Sequence, residues 1–594
     1  MDRITKSMMD EFMNDYNIEV TPESDIFEMF CNYCILSRER SDSEQLDIND
    51  IYEVTTGGRD DTGLDGIIIL VDGKLLNSKE EVDELKKRAS VRVSLIFVQS
   101  KTSDSFVKED IGYFGDGALS FFADFLQGQK TTLFEELNKK LGGNRKVLEK
   151  SELATQLLSS CISKLDPKPT CKLYYITTSF RKINQNNQAH FNRKKKFLEE
   201  THIFGNVQVH ALGASDIQDF YRSTKLKVQA IIEFSSHVSL LKIEGIKQSY
   251  IGTLPFSEFR KLIIDDNLEQ VKPVILDDNV RGFQGKDNDV NKDIDNTLTS
   301  GHLDRFPILN NGITIVSKSI SRVANTFTLK DYQIVNGCQT SNILCSRKDV
   351  EGMNNLHVPV KIIEPDENRD DIVIEIIKAT NFQTAIEKEA LVALEKASKF
   401  SKGLEEHYKS FGEEGSRLYY ERQSAQYNIG ANIAKNRIVS IKNQLKVFAA
   451  MFLDEPHRAL GYSGSLKKDI GTKIFCDNHY PSPYYTSSLA HYKLKNQFSK
   501  NSKYRAYQYH LLMALKYLIL KKDFPNPNNS RINDSCNTIN MVLEDPQQFN
   551  RYLDTAISTI ECLPHTWGNI EHRGTLKLQV VTEELIKKLS VAEC

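Results

Sequence analysis

Two uninterrupted apolar runs, Ile67–Val71 and Val93–Val98, dominate the first part of the chain. Runs of this length, rich in β-branched residues and bounded by glycine or polar clusters, predict strands buried on both faces. Lys172–Thr178 and Val207–Leu212 predict two more strands. Helical spacing appears over Phe121–Leu126, Leu133–Leu141 and Ala214–Tyr221. The charged stretch from Lys74 to Arg88 is long for a hairpin and predicts a helical excursion. Residues 1–225 therefore read as an α/β region.

A change of texture follows. From 226 to 440 the pattern is mixed, with strands expected at Gln229–Glu233 and Val238–Ile243. Two later apolar runs meet an Asn-Gly pair, at Asn311-Gly312 and at Asn336-Gly337. Each such pair marks a tight turn, because both residues tolerate left-handed backbone. Residues 441–594 read as mostly helical, with Val439–Phe452 spaced to bury one face. The expected fold class is α/β and α+β multidomain, in three regions: 1–225, 226–440 and 441–594. A length of 594 residues fits about three or four cores.

Composition adds limits. Forty per cent hydrophobic and 26% charged residues are ordinary for a soluble globular chain. A net charge of −3 leaves any polyanion binding to local basic patches. The longest apolar run, Leu511–Leu520, is broken by Lys516, and Met1–Lys6 lacks a signal-peptide core. A cytoplasmic protein without membrane contact is expected. The ten cysteines form no disulfide framework. Cys31-x-x-Cys34 lies in an apolar helical pattern and reads as a pair of buried thiols.

Candidate chemistry lies at the ends of the first two apolar runs. Asp65 precedes one, and Gln99-Ser100-Lys101 follows the other. Alternate strand residues share a face, so Gln99 and Lys101 point together, and pairing of the runs would bring Asp65 to them. A carboxylate and an amide oxygen suit Mg²⁺, with Mn²⁺ as a substitute, and a lysine would orient an attacking water. A turn residue and a solvated strand end are the plain alternative.

Gly57, Gly58, Asp61, Gly63, Asp65, Gly66, Gln99 and Lys101 resemble the Mrr-like branch of the PD-(D/E)xK nucleases. The resemblance implies a restriction-endonuclease-like N-terminal domain that hydrolyses phosphodiester bonds. Asp65, Gln99 and Lys101 would be catalytic, with Glu28 as an acid from a preceding helix. Asp65, Gln99, Glu28 and the backbone of Ser100 would hold the metal. The neutral Gln99 departs from the Glu common in that superfamily.

A second resemblance covers about 250–440. Asn279-Val280-Arg281-Gly282, Asn310-Asn311-Gly312-Ile313-Thr314-Ile315, Val335-Asn336-Gly337-Cys338-Gln339-Thr340 and Tyr419-Tyr420-Glu421-Arg422 look like the abortive-infection phage-resistance (AIPR) family. It implies a role in phage defence, with a phage-derived trigger, but no chemistry. Gln339-Thr340-Ser341 opening a helix suits an anion, or plain helix capping. Arg281, Asn311, Asn336, Gln339, Asn381 and Arg422 are the nucleotide or nucleic-acid candidates there.

Two basic clusters complete the survey. Arg193, Lys194 and Lys195 offer phosphate contacts or a solvated helix face. Between Lys493 and Lys522 eight basic residues and no acid alternate with tyrosines, so Lys503 and Arg505 are candidates for nucleic-acid contact. The leading expectation is a Mg²⁺-dependent endonuclease of bacterial antiphage defence, acting on DNA in preference to RNA. The alternative is a non-catalytic nucleic-acid- or nucleotide-binding regulator with a degenerate nuclease fold. Homo-oligomerisation is left open.

Overall fold

The computed structural model describes residues 1–18, 22–40, 46–58, 62–86, 88, 90–123, 125–126, 144–165, 167–225, 228–265, 270–276, 289–299, 303–366, 369–381, 400–411, 417–421, 433–461, 463–498, 503–521, 524–564, 566 and 573–591. The chain divides into two compact units. The first holds residues 1–5, 27–43 and 51–391; the second holds 6–26, 44–50 and 392–594.

In the first unit the early apolar runs become the centre of a five-stranded sheet. Its strands are β1 (Gly66–Val71), β2 (Lys74–Leu75), β3 (Val93–Lys101), β4 (Thr170–Thr177) and β5 (Asn206–Leu212), in the order β2-β1-β3-β4-β5. β1 and β3 are antiparallel, whereas β3-β4 and β4-β5 are parallel. The excursion after β1 contains both the short strand β2 and a helix, Lys79–Leu85. Ile67, Ile69, Leu95, Phe97, Leu173 and Val207 share one hydrophobic core with the helices Lys108–Ser120, Arg145–Cys161 and Gln185–Glu200. The expected helix at Leu133–Leu141 lies outside the described residues, and the described residues of Phe121–Leu126 form turns rather than a helix.

A six-stranded sheet follows in the same unit. It contains β6 (Gln229–Glu233), β7 (Ser236–Ser239), β8 (Ile246–Pro255), β11 (Ile313–Val323), β12 (Thr326–Asn336) and β13 (His357–Pro365). Their order is β6-β12-β11-β13-β8-β7. A small ladder, β9 (Ile264–Asp265) with β10 (Gln270–Val271), lies between β8 and β11 in sequence.

The second unit is largely helical, as its apolar spacing predicts. Helices Ile441–Phe452, Ser482–Phe498, Lys503–Leu520 and Pro546–Glu561 pack Leu445, Phe448, Leu494, Leu512, Leu515 and Leu553 into one core. One short parallel pair, β14 (Tyr419–Glu421) with β15 (Ile438–Ser440), joins them. No helix among the described residues is long and apolar enough to cross a membrane.

Candidate functional site

Antiparallel pairing of β1 with β3 decides where the chemistry gathers. Gly66 sits opposite Val98, so Asp65 at the start of β1 meets Gln99 near the end of β3. Asp65 is 2% exposed. Its Oδ2 accepts hydrogen bonds from the Ser100 N–H at 2.7 Å and the Ser100 hydroxyl at 3.4 Å. Its carbonyl accepts from Asn32 Nδ2 at 3.0 Å and the Thr56 N–H at 3.0 Å. Ser100 thus fixes the carboxylate, while Asn32 and Thr56 fix the backbone that carries it.

Gln99 lies beside it, 1% exposed. Its Nε2 packs against Gly63, where a Cβ would stand 3.0 Å from that nitrogen. Its Oε1 is buried with no hydrogen-bond partner. Buried polar atoms are nearly always paired, so this amide oxygen is a free acceptor in a closed place. Lys101, two residues on and on the same face, is partly exposed and forms no ion pair with any described residue.

Glu28 comes from the Glu23–Glu39 helix. Its carboxylate lies against Gly57, where a Cβ would fall 1.9 Å from Oε2. Only glycine leaves that space, which gives the Gly57-Gly58 turn a steric reason. One helical turn on, burial pushes the Cys31 thiol far up, aided by Cys34, Asp65 and Glu28. Both carboxylates therefore act on one neighbour. Cys31 and Cys34 are buried free thiols, as their spacing suggested. Asp61 lies outside the described residues.

Sequence reasoning missed three supports. Asn32 ties the Asp65 carbonyl to the Thr55 hydroxyl, which accepts from Nδ2 at 3.1 Å. Its position one turn after Glu28, in an apolar helix, was the available signal. Asn144 donates to the Thr56 carbonyl at 2.8 Å, and Lys146 to the Thr55 carbonyl at 2.8 Å. Nothing local in sequence marks those last two.

The donors fit a small hard cation in kind. Mg²⁺ takes oxygen ligands, commonly one or two carboxylates with several waters. Asp65, Glu28 and the unpartnered Gln99 oxygen are of that kind. No group of three His, Cys, Asp or Glu among the described residues is placed to hold a metal. Any binding would therefore lean on the amide.

The polar motifs of the second sheet have other employment. Asn310-Asn311-Gly312 is not a hairpin turn. It joins a short helix, Phe306–Leu309, to β11, and Asn310 Oδ1 accepts the Gly312 N–H at 3.0 Å. Asn310 Nδ2 also donates to Thr340 Oγ1 at 3.4 Å, so the two Asn-Gly motifs meet. Asn336 ends β12 and donates to the Thr380 carbonyl. The helix after it starts at Cys338, with Gly337 rather than a polar side chain at its cap. Asn311 is exposed and Gln339 partly exposed. Arg281, Arg422 and the Asn381 side chain lie outside the described residues.

The basic clusters shrink on inspection. Lys194 is paired with Asp116 at 2.6 Å and Lys195 with Glu199 at 3.7 Å, while Arg193 is exposed. In the second unit Lys493 pairs with Glu544, Lys495 with Asp47, and Lys516 with Asp454. Tyr507 and Tyr509 are core residues. Arg505 is partly buried and already engaged, while the Lys503 side chain lies outside the described residues. The alternation of basic and aromatic residues there is mostly the mark of two packed helices whose lysines are paired with acids.

Residues 276–562 match the family model described as AIPR protein. The matched segment reaches from the second sheet through most of the helical unit. No curated protein and no solved structure matches the chain.

Proposed function

We propose that the protein is a metal-dependent nuclease serving abortive-infection phage defence, with its catalytic site at the Asp65–Gln99–Lys101 corner. The defence role follows from the AIPR segment. The observation that carries the catalytic reading is the buried, unpartnered Gln99 Oε1 opposite Asp65, with Lys101 on the same face. Helix, antiparallel strands and a parallel third strand, in that order, are also what a restriction-endonuclease-like core requires.

The chain's own residues would act as follows. Ser100 holds the Asp65 carboxylate in one orientation, so no reorganisation is needed when a charged group arrives. Gln99, Asp65 and Glu28 supply oxygen ligands. A bound divalent cation would offset negative charge developing on the phosphoryl oxygen. Lys101 orients the attacking water and stabilises the same charge. DNA is the proposed substrate, on the resemblance to Mrr-like enzymes.

The test is cleavage of supercoiled plasmid, phage DNA and single-stranded RNA with Mg²⁺, Mn²⁺ or EDTA, beside Lys101→Ala. Metal-dependent cutting that the variant loses supports the proposal. Cutting that persists in Lys101→Ala contradicts the assigned site. A second reading, a binding regulator without turnover, draws on the neutral Gln99 and the absence of a three-acid cluster among the described residues. It predicts nucleic-acid binding that ignores divalent metal.

A further inference from the structure

The proposed catalytic corner has an aromatic neighbour that its chemistry does not use. Tyr113, on the Lys108–Ser120 helix, is 50% exposed. A Cβ on Gly63 would stand 2.9 Å from Tyr113 Cδ1 and 3.0 Å from Gln99 Nε2. The ring and the Gln99 amide therefore flank one glycine, whose φ of 75° belongs to the turn before Asp65. Tyr175 sits opposite Gln99 on β4, and its hydroxyl donates to Asp110 Oδ2 at 3.5 Å. This helix thus lies over the ends of β3 and β4.

Its other flank meets the Gln185–Glu200 helix at two glycines. A Cβ on Gly112 would stand 2.9 Å from His190 Nε2, and one on Gly115 2.5 Å from Lys194 Cγ. His190 therefore lies over Gly112. Arg193 follows His190 at i+3, and Lys108 precedes Gly112 at i−4, spacings that put both on that flank. Both are exposed, and no ion pair neutralises either among the described residues. Burial, and then the charges of Lys194, Arg193 and Lys108, lower the His190 pKa, as expected of a ring among cations. Lys194 is answered by Asp116. Glu109, exposed one turn before Tyr113, opposes the row in part.

We propose that this surface holds an unpaired DNA strand, with one base stacked on Tyr113 and the adjoining phosphates on Lys108, His190 and Arg193. The inference rests on the catalytic reading above and narrows its substrate to a single strand. A base offers its face to a ring only when it is out of the duplex. Cations receive the phosphates without reading sequence. Tyr113 and Gly112 are consecutive, so the ring and the cationic row occupy two flanks of one helix, about 10 Å across. The strand would leave the Gln99–Lys101 corner, pass the ring and cross Gly112, where no side chain stands in its way.

Fluorescence anisotropy on the full chain, in EDTA and low salt, tests this with a short labelled single-stranded DNA and the same sequence as a duplex. The single strand should bind more tightly than the duplex. Tyr113→Ala should weaken single-strand binding about tenfold, the scale of one lost stack, and Tyr113→Phe should retain it. Lys108→Gln and Arg193→Gln should each weaken binding and lower the slope of log affinity against log salt by about 0.7. No binding, equal binding of strand and duplex, or Tyr113→Ala binding like the parent overturns the proposal. So does Tyr113→Phe binding as weakly as Tyr113→Ala. The three substituted side chains are exposed, and thermal unfolding should find every variant folded. EDTA prevents metal-dependent cutting, so the two readings fail separately. The expected binding in a protein that never cuts removes only the nuclease; cutting lost in Lys101→Ala, beside binding indifferent to Tyr113, removes only this inference.

Discussion

The two sheets of the first unit treat their polar motif residues differently. In the central sheet Asn310 and Asn336 are engaged inside the protein. Asn336 holds the Thr380 carbonyl, and Asn310 holds Gly312 and Thr340. In the N-terminal sheet Ser100 and Asn32 fix the backbone and carboxylate of Asp65, while Gln99 keeps one acceptor with nothing to accept. Beside Asp65, the buried Gln99 Oε1 keeps capacity for a ligand.

The largest expected effect separates the sheets by activity. Lys101→Ala and Asp65→Asn should each cut cleavage by at least about 10³-fold, the scale of losing a main charge-stabilising group. Asp65→Ala should also lose about 1–3 kcal/mol of stability, because the buried Ser100 N–H loses its acceptor. Denaturant titration beside plasmid cleavage checks both. An Asp65→Asn protein that cuts like the parent would end the assignment.

Next comes acid. On β5, burial and then the Lys172 charge lower the His210 pKa to about 4, and its ring stacks on Tyr174. The folded state therefore binds fewer protons than the unfolded chain, whose histidine titrates near 6.5. His210 contributes fully above about pH 6.5, and its contribution fades as pH falls toward 4. The slope is up to about 1.4 kcal/mol per pH unit. Protection factors of β4 and β5 amides, with the intrinsic pH dependence of exchange divided out, should fall between pH 6.5 and 4.5, and His210→Phe should flatten that response. An unchanged response in the variant would show that another group governs the acid sensitivity.

Gly57→Ala should follow. Its Cβ displaces the Glu28 carboxylate, and metal affinity should drop about 10–100-fold, as for a disturbed ligand or its support. Equal Mn²⁺ affinity would remove Glu28 from the ligand set. The smallest effect belongs to Asn336→Ala. It leaves the Thr380 carbonyl unpaired and should cost about 1 kcal/mol of stability, with no loss of cleavage per folded molecule. A large activity loss there would mean that the central sheet is catalytic after all.

These contrasts also show what the sequence carried. Apolar runs placed β1 and β3, which are buried along nearly their whole length, and β-rich composition placed β4 and β5. Alternation put Gln99 and Lys101 on one face, and the two runs do pair so that Asp65 joins them. Partnership was not legible. Nothing local shows that Lys194 meets Asp116 or that Lys495 meets Asp47, since those contacts are set by packing between distant segments. The Asn-Gly turns were visible, but Asn310-Asn311-Gly312 leads out of a helix instead of closing a hairpin. A two-residue motif fixes a backbone bend, not the elements on either side. The glycine at 57 looked like turn chemistry, and its steric role appeared only once Glu28 was seen against it.

The most direct measurement is Mn²⁺ binding by electron paramagnetic resonance, on the parent chain, Gln99→Leu, Asp65→Asn and Asn336→Ala. The account predicts one bound ion in the parent and in Asn336→Ala, with affinity at least about tenfold weaker in the other two. No bound ion in the parent, or equal affinity in all four, would contradict it.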